Sequence, residues 1–293
     1  VGFMTGSNCG VSTTPPLVLS LPIRASMSLS LISKDIEATA KTHFNNATAS
    51  LNCAGQGSSR KMVCTVQLYE KPALTDPVLI EGLPGIGFVA NISALHLIQE
   101  LKAKLFAGIR SSFFQDIAIT AEEGKARFPI NELYYHKGRN GERDLIILYG
   151  NTQALTTVGQ YELCSRVLDL AEELGCRYII TLGGLKREGK VEVPSLYCAA
   201  TDHETLRDAL SLGAKIIGGQ IFGVAGLLVG LGKLRGMKGF CLLAETLGLY
   251  PDAMASREVL NAVCKMLHLK VDLSRLDVAA EATENILKSF GLV

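Results

Sequence analysis

The sequence lacks an excess of charge of either sign: 29 basic and 28 acidic side chains leave a formal net charge of +1. A nucleic-acid groove or a polybasic membrane surface needs clustered positive charge, so both are excluded as principal functions. It also lacks paired cysteines. The eight cysteines are dispersed, with no C-x-x-C, and most lie inside apolar runs such as Gly239-Phe240-Cys241-Leu242-Leu243. That excludes zinc spacing and a disulfide framework, makes the thiols small core hydrophobes and points to a reducing cytoplasm. A long apolar run is missing too. The uncharged stretch Ile216–Gly232 spans only seventeen residues, six of them glycine, with Gln220 among them. A spanning helix needs ~20 apolar residues, so this stretch is expected to form a glycine-rich buried turn between core elements.

What is present is 48% hydrophobic residues in 293, with 29 glycines. At ~100–200 residues per domain, that is one large domain or two small ones, with enough apolar surface for a real core. Collagen-like, coiled-coil and wholly disordered compositions do not fit.

Charge is unevenly spread. Residues 1–61 hold 5 basic and 2 acidic side chains and 16 serines and threonines, leaving 24 basic and 26 acidic side chains for the rest. The first part buries too little apolar surface to offset its ordering entropy. Residues 1–61 are therefore expected to be a low-complexity extension, disordered or not native to the folded unit. Residues 24–43 have some transit-peptide character, and Leu17–Ile23 is a poor secretory signal. Residues 62–293 are expected to be one domain.

In that domain, Val63–Leu68, Val78–Glu81, Leu105–Ile109, Asp116–Thr120, Glu132–His136, Asp144–Tyr149, Tyr178–Leu182 and Lys238–Ala244 read as strands. Gly138-Arg139-Asn140-Gly141 reads as a hairpin turn. Helices are predicted at Phe88–Leu101, through Tyr161, Cys164, Leu168 and Ala171, from a Thr201/Glu204 capping box to Gly213, and at Ser256–Leu267 and Ser274–Phe290. Strands alternating with helices imply an α/β fold with a mostly parallel sheet covered on both sides.

The turn Gly82-Leu83-Pro84-Gly85-Ile86-Gly87 can aim backbone N–H groups at a phosphate. Its order is G-x-x-G-x-G rather than G-x-G-x-x-G, and Arg110, not an acid, follows the strand Leu105–Ile109. Close helix–sheet packing explains these glycines as well. Gly82, Gly85 and Gly87, with Gly183 and Gly184 at the end of Tyr178–Leu182, are the candidate ligand-contacting residues. Lys186-Arg187-Glu188-Gly189-Lys190 follows them as a basic surface loop at the position open α/β sheets use for ligands. His203-Glu204 fails as H-E-x-x-H because residue 207 is Arg207. The five histidines form no i, i+4 pair, and no G-x-S-x-G elbow is present. Glu122-Glu123 and Glu172-Glu173 read as solvated pairs. No catalytic, cofactor or metal set emerges.

Six stretches in order carry a resemblance: Leu79–Gly87 with its helix, Asp144–Gly150, Tyr178–Gly184, Gly218–Leu228, Leu243-Ala244-Glu245-Thr246, and Asp252–Ala255 continuing through Val259–Leu269 to Val271-Asp272. Residues 70–290 resemble the proteasome assembly chaperone family of the second type, including its archaeal homologues, a group also labelled the ATP-grasp superfamily. The resemblance implies a three-layer α/β fold like that of nucleoside phosphorylases. It also implies a homo-oligomer and binding of proteasome core (α) subunits without ATP hydrolysis. Some proteasome partners end in a hydrophobic–tyrosine–any tail; this chain ends Phe290-Gly291-Leu292-Val293 without the tyrosine, which makes Phe290, Leu292 and Val293 the candidate partner-binding residues. The alternative is a nucleotide-dependent ligase or phosphorylase-like enzyme using the glycine turns, with Lys186 or Arg187 facing an anion.

Overall fold

The computed structural model describes residues 64–120, 124–139, 141–189, 193–249 and 251–276. The extension 1–61, Glu122-Glu123, the hairpin's Asn140, Lys190, all but the start of the helix expected over 274–290, and the terminal Phe290, Leu292 and Val293 lie outside the described residues.

Nine strands form one sheet. They are β1 (Cys64–Leu68), β2 (Val78–Gly82), β3 (Lys104–Ser111), β6 (Asn131–His136), β7 (Leu145–Gly150), β8 (Tyr178–Lys186), β9 (Leu196–Ala200), β10 (Lys215–Ile216) and β11 (Lys238–Thr246), in the order β1-β3-β6-β7-β2-β8-β11-β9-β10. The short strands β4 (Ile119–Thr120) and β5 (Ala126–Arg127) pair separately, so the strand expected over 116–120 shrinks to two residues.

The sheet is mixed rather than mostly parallel. β7, β2, β8 and β11 run parallel in the centre. β6, β3 and β1 alternate antiparallel on one wing, and β9 is antiparallel to β11 on the other. The four central strands are apolar through their middles, as burial on both faces requires, with Glu81 of β2 and Thr181 of β8 as buried polar exceptions. Leu79, Ile80, Ile146, Ile147, Ile179 and Ile180 are all fully buried. The wings obey local rules instead. The segment around Gly138–Gly141 returns β6 onto β7 as the hairpin expected there, and the buried Asp144 clamps it by accepting from the Gly138 and Thr75 amides at 2.8 and 2.7 Å.

Helices α1 (Val89–Glu100), α3 (His203–Ser211) and α5 (Ala253–Leu267) cover one face; α2 (Thr157–Glu173) and α4 (Gly223–Leu234) cover the other. The strand period of two divides each central strand between the layers. Val78 and Ile80 meet α1 and α5, while Leu79 meets α2 and α4. In α2, Cys164, Leu168 and Ala171 are buried as their spacing predicts, but Tyr161 is half exposed.

Two further expectations are corrected. Most of the stretch 216–232 is not a turn: residues 223–234 are helix α4. Val224 and Leu228 are fully buried, and a Cβ on Gly232 would stand 2.5 Å from the Ile179 side chain. Burial outweighs the ~1 kcal/mol helix penalty of each glycine because the absent side chains let the helix sit close to the sheet. The cap of α3 is Asp202, one residue after Thr201. Its Oδ1 accepts from the Glu204 and Thr205 amides at 2.8 and 3.0 Å, and Thr205 Oγ1 accepts from the Asp202 amide. Thr201 is instead buried, accepting from the Gly239 amide at 3.1 Å.

Candidate functional site

The carboxyl ends of the parallel strands converge on the turn 83–88. β2 stops at Gly82 with α1 directly against it: a Cβ there would overlap Ala94 Cβ and stand 2.8 Å from the Ala90 carbonyl. Leu83 turns inward and is buried. A single 3-10 turn, Ile86–Phe88, then leads into α1, with Gly87 at φ 63° and Phe88 at φ 53°, both left-handed. Gly87 tolerates this freely. Phe88 does not, and its conformation persists because its neighbours enforce it.

Those neighbours are hydrogen-bonded to one another. The Gly87 carbonyl accepts from the Asp252 amide at 2.8 Å. Asp252 caps α5 by accepting from the Ala255 amide at 2.9 Å, and its Oδ2 accepts from Thr246 Oγ1, at the end of β11, at 2.6 Å. Gly248 N donates to the same hydroxyl at 3.1 Å. On the other side, Gln153 Nε2 donates to the Pro84 carbonyl at 2.6 Å, while its Oε1 accepts from the Val224 amide that opens α4. Asn91 of α1 donates to the Gly150 carbonyl at 2.8 Å. The turn is thus tied to β7, β11, α4 and α5. Asp252→Ala removes both the cap and the bond to Thr246, and is expected to lower stability by about 2 kcal/mol in urea unfolding.

This tightly held turn presents apolar side chains to solvent. Ile86 and Phe88 are 47% and 36% exposed, and Leu249 and Met254, on the segment bonded to the turn, are 56% and 37% exposed. Next to Gln153 and the start of α4, Leu155, Val158 and Phe222 are exposed as well. Exposed apolar groups on a rigid frame, one of them an aromatic ring in a strained backbone, are suited to protein contact. Chemical equipment is sparse here: the segments 83–88 and 151–156 contain no ionisable side chain.

Gly82 and Gly184 serve close packing: a Cβ on Gly184 would strike the Ile86 carbonyl and Thr246. Gly87 serves the left-handed turn, with Thr246 Oγ1 2.7 Å from where its Cβ would stand. Gly85 is the open position, with no atom within 4 Å of that point. Gly183 and Gly184 do not end their strand. β8 runs on to Lys186, pairing them with Leu243 and Ala244 of β11; Gly184 lies where the Ile86 backbone crosses the strand, and a Cβ on Gly183 would stand 2.7 Å from the Leu243 side chain. The basic stretch is not a free anion site at Arg187. Its Nε donates to Glu245 Oε1 at 2.8 Å, it donates to Tyr197 OH, and its guanidinium lies 5.5 Å from the centre of the Tyr197 ring. The Arg187 hydrogen bond is the main cause holding the Glu245 carboxyl down at about 2. Glu172 is likewise no simple solvated acid, because it accepts from Arg235 of the α4 C-terminus at 3.1 Å.

Glu81 and Phe88 are what sequence reasoning passed over. Glu81 was legible only as the last residue of a strand, yet it is 1% exposed at the centre of the sheet. Burial pushes its carboxyl up to about 8, against the pull of the Leu83 and Leu182 amides. The signal available was a lone acid in the run Val78-Leu79-Ile80-Glu81-Gly82-Leu83. For Phe88 the signal was an aromatic directly after Gly87 at a helix start.

The six described cysteines are all free and buried, and burial raises their thiols; Cys241 rises to about 12. Among the described residues, no group of three His, Cys, Asp or Glu side chains is placed to hold a metal ion, and no helix is long and apolar enough to cross a membrane.

Taken together, these features define a three-layer α/β protein with a mixed nine-stranded sheet whose strand-end glycines serve packing and whose rim is apolar. Residues 79–290 match the PAC2 family, and the chain belongs to it. The fold is similar to that of Pyrococcus furiosus PbaB, described as an archaeal proteasome activator, at 41% identity over 79% of this chain and 99% of that one, TM-score 0.75. It is also similar to Pyrococcus furiosus PbaA, described as an archaeal homolog of proteasome-assembly chaperone, at 27% identity over 78% and 96% of the two chains, TM-score 0.64. The uncharacterized protein MJ1210 of Methanocaldococcus jannaschii is 30% identical over 228 residues, 77% of this chain and 87% of that protein.

Proposed function

We propose that this PAC2 protein is a non-catalytic, proteasome-associated binding protein that acts as a homo-oligomer on proteasome core α subunits in the cytoplasm. The observation that carries this reading is the 41% identity to the archaeal proteasome activator PbaB across 99% of that chain. The apolar rim around Ile86, Phe88, Leu249 and Met254 supports it, because a near-neutral domain recognises a protein through packed anchors rather than through charge. The layered arrangement is read as nucleoside-phosphorylase-like. Residues 1–61 are read as an extension outside the domain. The terminal Phe290, Leu292 and Val293 remain a second candidate contact.

Co-purification of the full chain with its cognate proteasome α subunits tests the reading, and capture of neither free α subunits nor assembled ring contradicts it. Two variants divide the surfaces. Phe88→Asn keeps a residue tolerant of the left-handed backbone and is expected to change stability by less than about 1 kcal/mol. It should weaken capture at least tenfold if the rim is the contact. Deletion of residues 290–293 should do the same if the tail is.

A further inference from the structure

We infer that the turn Leu83–Phe88 is a proton-gated element, held in place by Glu81 as the neutral acid and released when that buried carboxyl loses its proton. The inference does not rest on the proteasome reading.

Glu81 lies on β2 between β7 and β8, opposite Leu148 and Thr181. Its Oε1 accepts from the amide of Leu83, the first residue of the turn, at 2.8 Å. Its Oε2 is fully buried and has no hydrogen-bond partner among the described residues. A neutral carboxyl needs a single acceptor for its proton, whereas a carboxylate needs donors for both oxygens. The surroundings supply few. The Leu182 amide also pulls on the carboxyl, but the Thr181 hydroxyl is spent on the Ala225 carbonyl at 2.9 Å.

Charge compensation is missing as well. The titratable groups facing Glu81 are the thiols of Cys164 from α2 and Cys241 from β11, both raised by burial and so neutral. β7 offers Leu148 on this face and turns Tyr149 to the opposite layer. The only ionisable side chain on α4 is Lys233, exposed in its last turn. Among the described residues an ionised Glu81 therefore has no cation to meet it in place, and the least costly escape is outward, through the turn bonded to its Oε1. That turn already contains two consecutive left-handed residues, Gly87 and Phe88, so opening it relieves strain.

Hydrogen exchange of the full-length protein, read by mass spectrometry from pH 6.5 to 9.5 and corrected for intrinsic rates, tests the gate. The expected result is that protection of the 83–88 amides falls at least tenfold across about pH 8, to near the unprotected level, while β7 weakens with the global stability but stays protected. In Glu81→Gln the 83–88 protection should stay flat. Constant protection of 83–88 in the wild type overturns the inference, as does an equal fall in Glu81→Gln, or loss of protection by the whole domain together. Should Glu81→Gln not fold, Glu81→Met serves as the second neutral variant, and the wild-type profile alone still decides.

Discussion

Glu81→Gln is expected to remove a pH dependence of folding stability on the order of 5 kcal/mol. The Glu81 carboxyl sits at about 8 in the folded protein against an ordinary 4.5, and burial is the cause. Each unit corresponds to about 1.4 kcal/mol. The native state holds this proton more tightly than the unfolded chain, so the associated stability is fully present below pH 4.5. It declines as pH rises and is lost through pH 8. Wild-type stability should therefore fall steadily from about pH 5 to pH 8.5, by an amount comparable with a domain's whole margin of 5–15 kcal/mol. Glutamine keeps an oxygen for the Leu83 amide and has no proton to lose. Urea unfolding at half-unit pH steps should give a flat profile for the variant over this window. Parallel profiles for the two proteins would show that Glu81 ionises as an ordinary carboxyl.

Gly82→Ala is expected to cost about 3 kcal/mol, although it adds only one methyl group. The added carbon would stand 2.1 Å from Ala94 Cβ and 2.8 Å from the Ala90 carbonyl, so either α1 lifts from β2 or the strand end shifts. Ala94 is itself fully buried, which leaves no slack on the helix side. The double variant Gly82→Ala, Ala94→Gly relieves the first overlap and leaves the second. It should recover at least about 1 kcal/mol relative to the sum of the single changes, a coupling that a mutant cycle in urea reads directly. Strict additivity would mean that the two residues do not touch.

The parts of this fold legible in the sequence are those decided locally. A continuous apolar run marked Asp144–Tyr149 as a buried strand, Tyr178–Leu182 stood out as a strand ahead of its glycines, and helical spacing marked Cys164, Leu168 and Ala171 as one buried face. Strand direction was not legible. β9 joins the sheet antiparallel to β11 through a register that only tertiary packing sets, and its half-buried sequence Leu-Tyr-Cys-Ala-Ala carries no strong period. Helix α4 was hidden by its glycines, which look like turn residues until Gly232 is seen against Ile179. Gly183 and Gly184 misled for the same reason, since Gly184 is small because of the Ile86 backbone, a contact nearly a hundred residues away in sequence, and Gly183 faces the Leu243 side chain of β11. At the site, the turn 82–87 stood out in the sequence, but as a phosphate cradle. Its packing role, the exposed Phe88 and the buried Glu81 all depend on what β7, β8, β11 and α5 bring against it.

The most direct test of the central claim is sedimentation velocity on the full chain mixed with purified cognate proteasome α subunits. A faster-sedimenting complex containing both proteins, unchanged by addition of nucleotides, is the expected result. Independent sedimentation of the chain from both free α subunits and assembled ring, at micromolar concentrations, would contradict it.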